Sequence, residues 1–369
     1  MPLLIRMPSY QIGITEINTQ VRRLGYVSAI LSILGNRTLS ETLLYDRIQK
    51  WSEVHQEDLS AYINPQGLIK STRMKSGVRN YTEFSVSLGL VAKVAGAYRV
   101  TRFGKVVLPF IAARRTPNPF KLSVAEKLTY FYWLVAKDTD RLFTVLNLLK
   151  AKPDTKLSTL QESFQDHYLR FLDARISAER ERVAQEILAV RNTVSRTWSS
   201  PKRYAESIVP PRLNWLVDIG LVEITTTGQK RTNLTDAGNK MLRRLSDRNG
   251  FRYPDARWMN EGFFSTMGTI LARVVGKKWS DLSKAEMDGH LLQETQEAFD
   301  LLRTSSAPKV SLQPALIYIA LKLASKNKIW VDTYSLRKEL EERANDSNFT
   351  YDVRFSYREN ESYLIVRPA

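Results

Sequence analysis

The sequence predicts a mainly α-helical fold with small β-hairpins: two basic helix-and-hairpin modules in tandem, a helical spacer between them, and a less basic tail. Three observations carry this reading. An apolar-glycine pattern occurs twice, the chain between the copies has few helix breakers, and the positive charge gathers where the pattern repeats.

The two copies read "SLGLVAKVAGAYRVTRFGKVVLPF" at 87–110 and "LVDIGLVEITTTGQKRTNLTDAGNKMLRRL" at 216–245. Each has a Gly-Leu-Val step, a polar glycine-containing middle, then Thr-x-x-Gly (Thr101–Gly104, Thr235–Gly238) and an apolar-basic helix. In the first module (1–120), Val21, Leu24, Val27, Ile30, Leu31 and Leu34 have helical spacing within Ile17–Leu34. Ser40 caps a second helix to about Val54, and "NPQG" at Asn64–Gly67 turns the chain. A third helix over about Val78–Leu88 stops at Gly89, and Val91–Val94 with Ala97–Thr101 form a hairpin around Ala95-Gly96.

The spacer (121–200) holds one proline and no glycine between Ser123 and Trp198. Its Leu169, Leu172, Ile176, Val183, Ile187 and Val190 make one apolar face. The second module (201–250) opens with "SPKRYAESI". Pro210-Pro211 then start a further helix at its tolerated first turn, ended by Gly220. Val222–Thr225 and Arg231–Leu234 flank the tip "TTGQK". A helical segment follows (251–310). The C-terminal module (311–369) is again helix, helix and hairpin, a degenerate third copy without a clear third helix.

Net charge is +17 at pH 7, a balance that favours a polyanionic partner. It stands at +9 over 1–120, +3 over 121–200, +7 over 201–285 and −2 over 286–369. The excess therefore lies in the two modules. There is no cysteine, which removes disulfides, thiolate catalysis and cysteine-based metal sites and fits a reducing compartment. No apolar run approaches the roughly 18 residues of a transmembrane helix, and "MPLLIRMPSY" has no signal-peptide pattern. The expected location is the cytoplasm, away from membranes.

The residues "LGLV…GAYRVTRFGKVVL" and "IGLVE…GQKRTNLTDAGNKML" resemble the winged helix-turn-helix superfamily, in which a Leu-x-x-x-Gly-Leu-Val/Ile step closes the recognition helix and Leu-Thr-x-x-Gly closes the wing. The second copy matches both parts. The first has Val86 and Leu88 before Gly89 and Val100-Thr101 for Leu-Thr. The resemblance implies double-stranded DNA as partner. A layout of this kind is similar to the recognition regions of some restriction enzymes and plasmid replication initiators.

A recognition helix needs an apolar face to seat it and a polar face for the major groove. In the second copy Leu213, Leu216 and Val217 would face inward, leaving Arg212, Asn214 and Trp215 outward. In the first, Tyr81, Phe84 and Leu88 would face inward, leaving Arg79, Asn80, Thr82 and Glu83 outward. Lys70, Arg73 and Lys75 precede the first of these helices, and Lys202 and Arg203 open the second module. Gln229, Lys230 and Arg231 form the wing tip, and Arg243 and Arg244 follow on the next helix. Arg, Asn and Thr can address base edges or phosphates.

Enzyme chemistry finds little support. The three histidines (His55, His167, His290) stand alone, no phosphate-binding glycine loop is present, and Asp255 with Glu261 lack the Glu-x-Lys strand of a metal nuclease. No catalytic residue, metal ligand or cofactor is expected. The expected function is non-catalytic binding of duplex DNA, as a subunit of a prokaryotic DNA-processing or anti-phage defence machine or as a regulator or initiator. The competing reading is a scaffold whose winged helices bind protein; an RNA-binding role is a third. Over 286–369 the charge of −2 and the aromatics Tyr351, Phe355, Tyr357 and Tyr363 point to a protein partner or a second copy of the chain.

Overall fold

The computed structural model describes residues 19–62, 66–70, 72–225, 230–304, 307–344, 346 and 349–367. The fold is mainly helical with small sheets, all antiparallel among the described residues except one two-stranded parallel pair. The first unit runs α1 (Gly25–Leu34), β1 (Leu39–Ser40), α2 (Glu41–Val54), α3 (Gln56–Tyr62), α4 (Ser76–Ser87), β2 (Val91–Val94), β3 (Ala97–Val100) and α5 (Arg102–Ala112). The second runs α6 (Val124–Ala151), β4 (Thr155–Lys156), α7 (Leu157–Ile176), α8 (Glu181–Thr197), α9 (Pro201–Ile219), β5 (Val222–Thr225), β6 (Arg231–Leu234) and α10 (Asp236–Arg244). The element order is the same in both. A connecting region holds β7 (Asp247–Arg248), β8 (Phe251–Arg252), α11 (Ala256–Glu261), α12 (Phe263–Ala272), β9 (Lys277–Lys278) and a 3-10 turn at Trp279–Asp281. The third unit is α13 (Lys284–Leu302), β10 (Lys309–Ser311), α14 (Leu312–Lys322) with a π-helical turn at Leu323–Asn327, β11 (Ile329–Trp330), α15 (Thr333–Arg343), β12 (Tyr351–Ser356) and β13 (Glu361–Val366).

Sheet order repeats three times: β1-β3-β2, β4-β6-β5 and β10-β13-β12. In each, the short strand ahead of a helix pairs antiparallel with the second strand of the hairpin. The first two units also share one junction in matching detail. Gly89 (φ 77) and Gly220 (φ 95) take the left-handed conformation that ends the preceding helix. Thr101 and Thr235 then cap the next helix, accepting from Gly104 N and Gly238 N at 3.1 Å each. Their hydroxyls donate back to the Gly89 and Gly220 carbonyls at 2.7 and 2.8 Å. A Cβ at Gly104 would run into the Leu90 carbonyl oxygen, and one at Gly238 into that of Leu221. The Thr-x-x-Gly spacing thus fixes a cap and a close backbone crossing together.

Three elements depart from the sequence expectation. The stretch 121–200 does more than bridge: α6 breaks at Asp138 (φ −148) and β4 pairs with β6, so this stretch supplies helices and a strand of the second unit. No new helix begins at Pro210-Pro211. α9 runs unbroken through both prolines from Pro201 to Ile219; every residue from 208 to 219 is buried, and that burial outweighs the roughly 3 kcal/mol an interior proline costs. The first helix begins only at Gly25, so Val21 and Leu24, expected within it, precede it. One continuous apolar cluster joins residues of all three units.

Candidate nucleic-acid interface

In α4, Val78, Tyr81, Thr82, Phe84 and Ser85 are buried. The Tyr81 hydroxyl accepts from the Arg22 and Arg23 amides at 3.0 and 3.1 Å and lies 2.8 Å from the Gly67 carbonyl. Burial pushes this phenol well above its ordinary range. The opposite face, Ser76, Arg79, Asn80, Glu83 and Ser87, reaches solvent at spacings of three and four residues. Thr82 is not on it. Its hydroxyl donates to the Val78 carbonyl at 2.9 Å and is buried, because it lies one turn beyond Val78 on the seated side.

Lys70, Arg73 and Arg79 are exposed, and none has an ion pair among the described residues. Lys75 pairs with Asp46. On the hairpin, Lys93 holds Glu41 at 2.7 Å, and that hydrogen bond keeps the Glu41 carboxyl below its ordinary range.

The second unit differs. Lys202, Arg203 and Tyr204 are exposed on the first turns of α9, with Lys202 3.4 Å from Glu162. The three residues expected to read bases are enclosed. Arg212 pairs with Asp138 at 2.7 Å and donates to the Ile208 carbonyl at 2.8 Å. Burial pushes the Asp138 carboxyl up and the Arg212 guanidinium down, and their pairing opposes both shifts. Asn214 donates to the Pro210 carbonyl at 2.8 Å. Trp215 donates to the Val21 carbonyl at 2.9 Å and stacks on Phe84 of α4, ring centroids 4.6 Å apart and 16° from parallel. Asp218 completes the seam, pairing with Arg23 at 2.7 Å and accepting from the Leu24 amide at 2.8 Å. The chain ahead of α1 and the flank of α4 therefore cover the second half of α9.

On the second hairpin Lys230 is exposed, Arg231 is held by Asp154 at 2.9 Å, and Gln229 lies outside the described residues. Arg243 and Arg244 are exposed on α10. The site residues form separate groups: Lys70, Arg73 and Arg79 at α4, Lys202 and Arg203 on α9, Lys230 on the hairpin, Arg243 and Arg244 on α10.

Sequence reasoning missed Arg273, Lys277 and Lys278, exposed between α12 and the 3-10 turn. Arg273 joins Lys240 and Arg243 in holding the Asp236 carboxyl below its ordinary range, an effect led by the Lys240 hydrogen bond. The signal was there, three cations within six residues around Val-Val-Gly.

In the tail, Tyr351 and Tyr363 are buried and only Tyr357 is strongly exposed, at 86 %. Phe355 is half-buried and packs edge-on against Tyr357, and Tyr363, opposite Arg354 in the sheet, lies under the Lys309 ammonium, 4.4 Å from its ring centre. Among the described residues no group of three or more His, Cys, Asp or Glu could hold a metal, and no helix is long and apolar enough to cross a membrane. No protein-family model, curated protein or solved structure matches the chain.

Proposed function

We propose that the chain is a non-catalytic protein that binds double-stranded DNA through tandem winged-helix units, with the first unit making the principal contact. One observation carries the reading: the outward face of α4 and the segment before it present Lys70, Arg73 and Arg79 exposed and without an ion pair among the described residues. The repeated order of helix, strand, helices and hairpin and the threefold sheet order support the winged-helix assignment. Lys230 and the α10 arginines would add phosphate contacts, which position a protein without reading sequence. α9 takes no part in base reading. Fluorescence anisotropy with a labelled duplex across a salt series tests the proposal. Affinity should fall steeply as salt rises, with a log–log slope of about 0.9 per phosphate contacted; no binding at low salt overturns it.

A scaffold role for the remaining units is favoured by two specific observations. The burial of α9 leaves the second unit without a reading face, and the charge over 286–369 is −2. Both are consistent with a DNA-anchored subunit of a larger DNA-processing or defence assembly.

A further inference from the structure

The end of α10, α12, the 273–281 stretch and the start of α15 enclose a cleft of about 720 Å³, within the size range of small-molecule sites. Arg244 and Lys278 enter it from two different elements, and neither has an ion pair among the described residues. The carboxylates in its wall are engaged. Glu339 is held by Arg343, and Asp332 accepts from the Phe264 and Ser265 amides at 2.7 and 3.1 Å. Because Asp332 caps α12, it gives no side-chain cap to its own helix, α15. Tyr334 and Ser335, in the first turn of α15, line the cleft.

The aromatic lining is built rather than incidental. Trp330 packs where a side chain at either Gly268 or Gly276 would strike its ring. Trp279 is only 6 % exposed and its indole N–H has no hydrogen-bond partner among the described residues, an uncommon state for a buried donor. Tyr334 is 44 % exposed.

We propose that this cleft binds a mononucleotide, with the phosphate held by Arg244, Lys278 and the first-turn amides of α15, and the base laid against Tyr334. A helix N-terminus with two unpaired cations suits a phosphate. The volume and the aromatic lining exceed what a bare anion needs.

Calorimetric titration of the full chain with AMP, ADP and inorganic phosphate, in the absence of DNA, tests the site separately from the DNA proposal. AMP or ADP should bind in the micromolar to millimolar range. Arg244→Ala with Lys278→Ala should weaken that binding about tenfold or more, and Tyr334→Ala should weaken AMP while leaving phosphate unchanged. Should the double variant lose helicity, Lys278→Gln, on an exposed side chain, replaces it with the same expected direction. Absent nucleotide binding, unchanged affinity in the cation variants, or equal affinity for phosphate and AMP each overturns the proposal.

Discussion

α4 and α9 occupy the same place in a repeated order of elements, yet they present opposite surfaces. α4 buries one side and leaves Ser76, Arg79, Asn80, Glu83 and Ser87 to solvent. α9 buries every residue from 208 to 219, polar ones included. A shared local pattern therefore specifies a shared local fold without specifying a shared surface. The docking of one unit on the other, through Trp215 on Phe84 and Arg23 on Asp218, turns the second copy's helix into the seam that joins them.

The largest effect should come from breaking that seam. Trp215→Ala removes a fully buried ring and leaves the Val21 carbonyl without its indole donor, and should cost about 3–5 kcal/mol in denaturant unfolding. Arg212→Ala should cost a similar amount, because the buried Asp138 charge loses its partner. A loss under about 1 kcal/mol in either would mean that α9 is not enclosed as described.

The repeated junction gives an internal control of moderate size. Gly104→Ala and Gly238→Ala each drive a methyl into a backbone carbonyl and should each destabilise by about 1–3 kcal/mol. The two costs should agree closely if the copies share geometry. A neutral effect at one position and a large one at the other would break the equivalence.

This junction was the part most legible in the sequence. A glycine with positive φ, a threonine cap and a glycine at a close crossing are local requirements that leave local residue signatures. The surface of α9 was not legible. Arg212, Asn214 and Trp215 have the residue types of an exposed reading face, and their environment depends on Asp138 and Val21, far away in sequence. β4 was missed because a two-residue strand has no periodicity to detect. Thr82 was misplaced by a single helical position.

A pH series sharpens the contrast, since the first unit has no counterpart of Asp218 at this seam. Burial lifts its carboxyl to about 6, from an ordinary 3.8, against the pull of Arg23. The folded state therefore holds a proton that the unfolded chain releases between pH 4 and 6. This contribution is present in full below the unfolded value and is lost as pH rises through 6. Relative to Asp218→Asn, the wild-type chain should gain on the order of 1 kcal/mol in stability from pH 7 to 5, read from unfolding midpoints. A flat or reversed difference would contradict the assigned burial.

The smallest stability effect belongs to the other helix. Arg79→Ala should change unfolding free energy by no more than about 0.5 kcal/mol, because its side chain is exposed and has no ion pair among the described residues. Its effect should appear in binding instead, and that separation is the central claim: α4 faces a ligand while α9 holds the units together. The most direct test is duplex-DNA affinity for Lys70→Ala, Arg73→Ala, Arg79→Ala combined, measured at several salt concentrations beside the wild-type chain. The account predicts an unchanged fold, at least a tenfold loss of affinity, and a salt slope shallower by about 2–3 phosphate contacts. Affinity and slope equal to those of the wild type would contradict it.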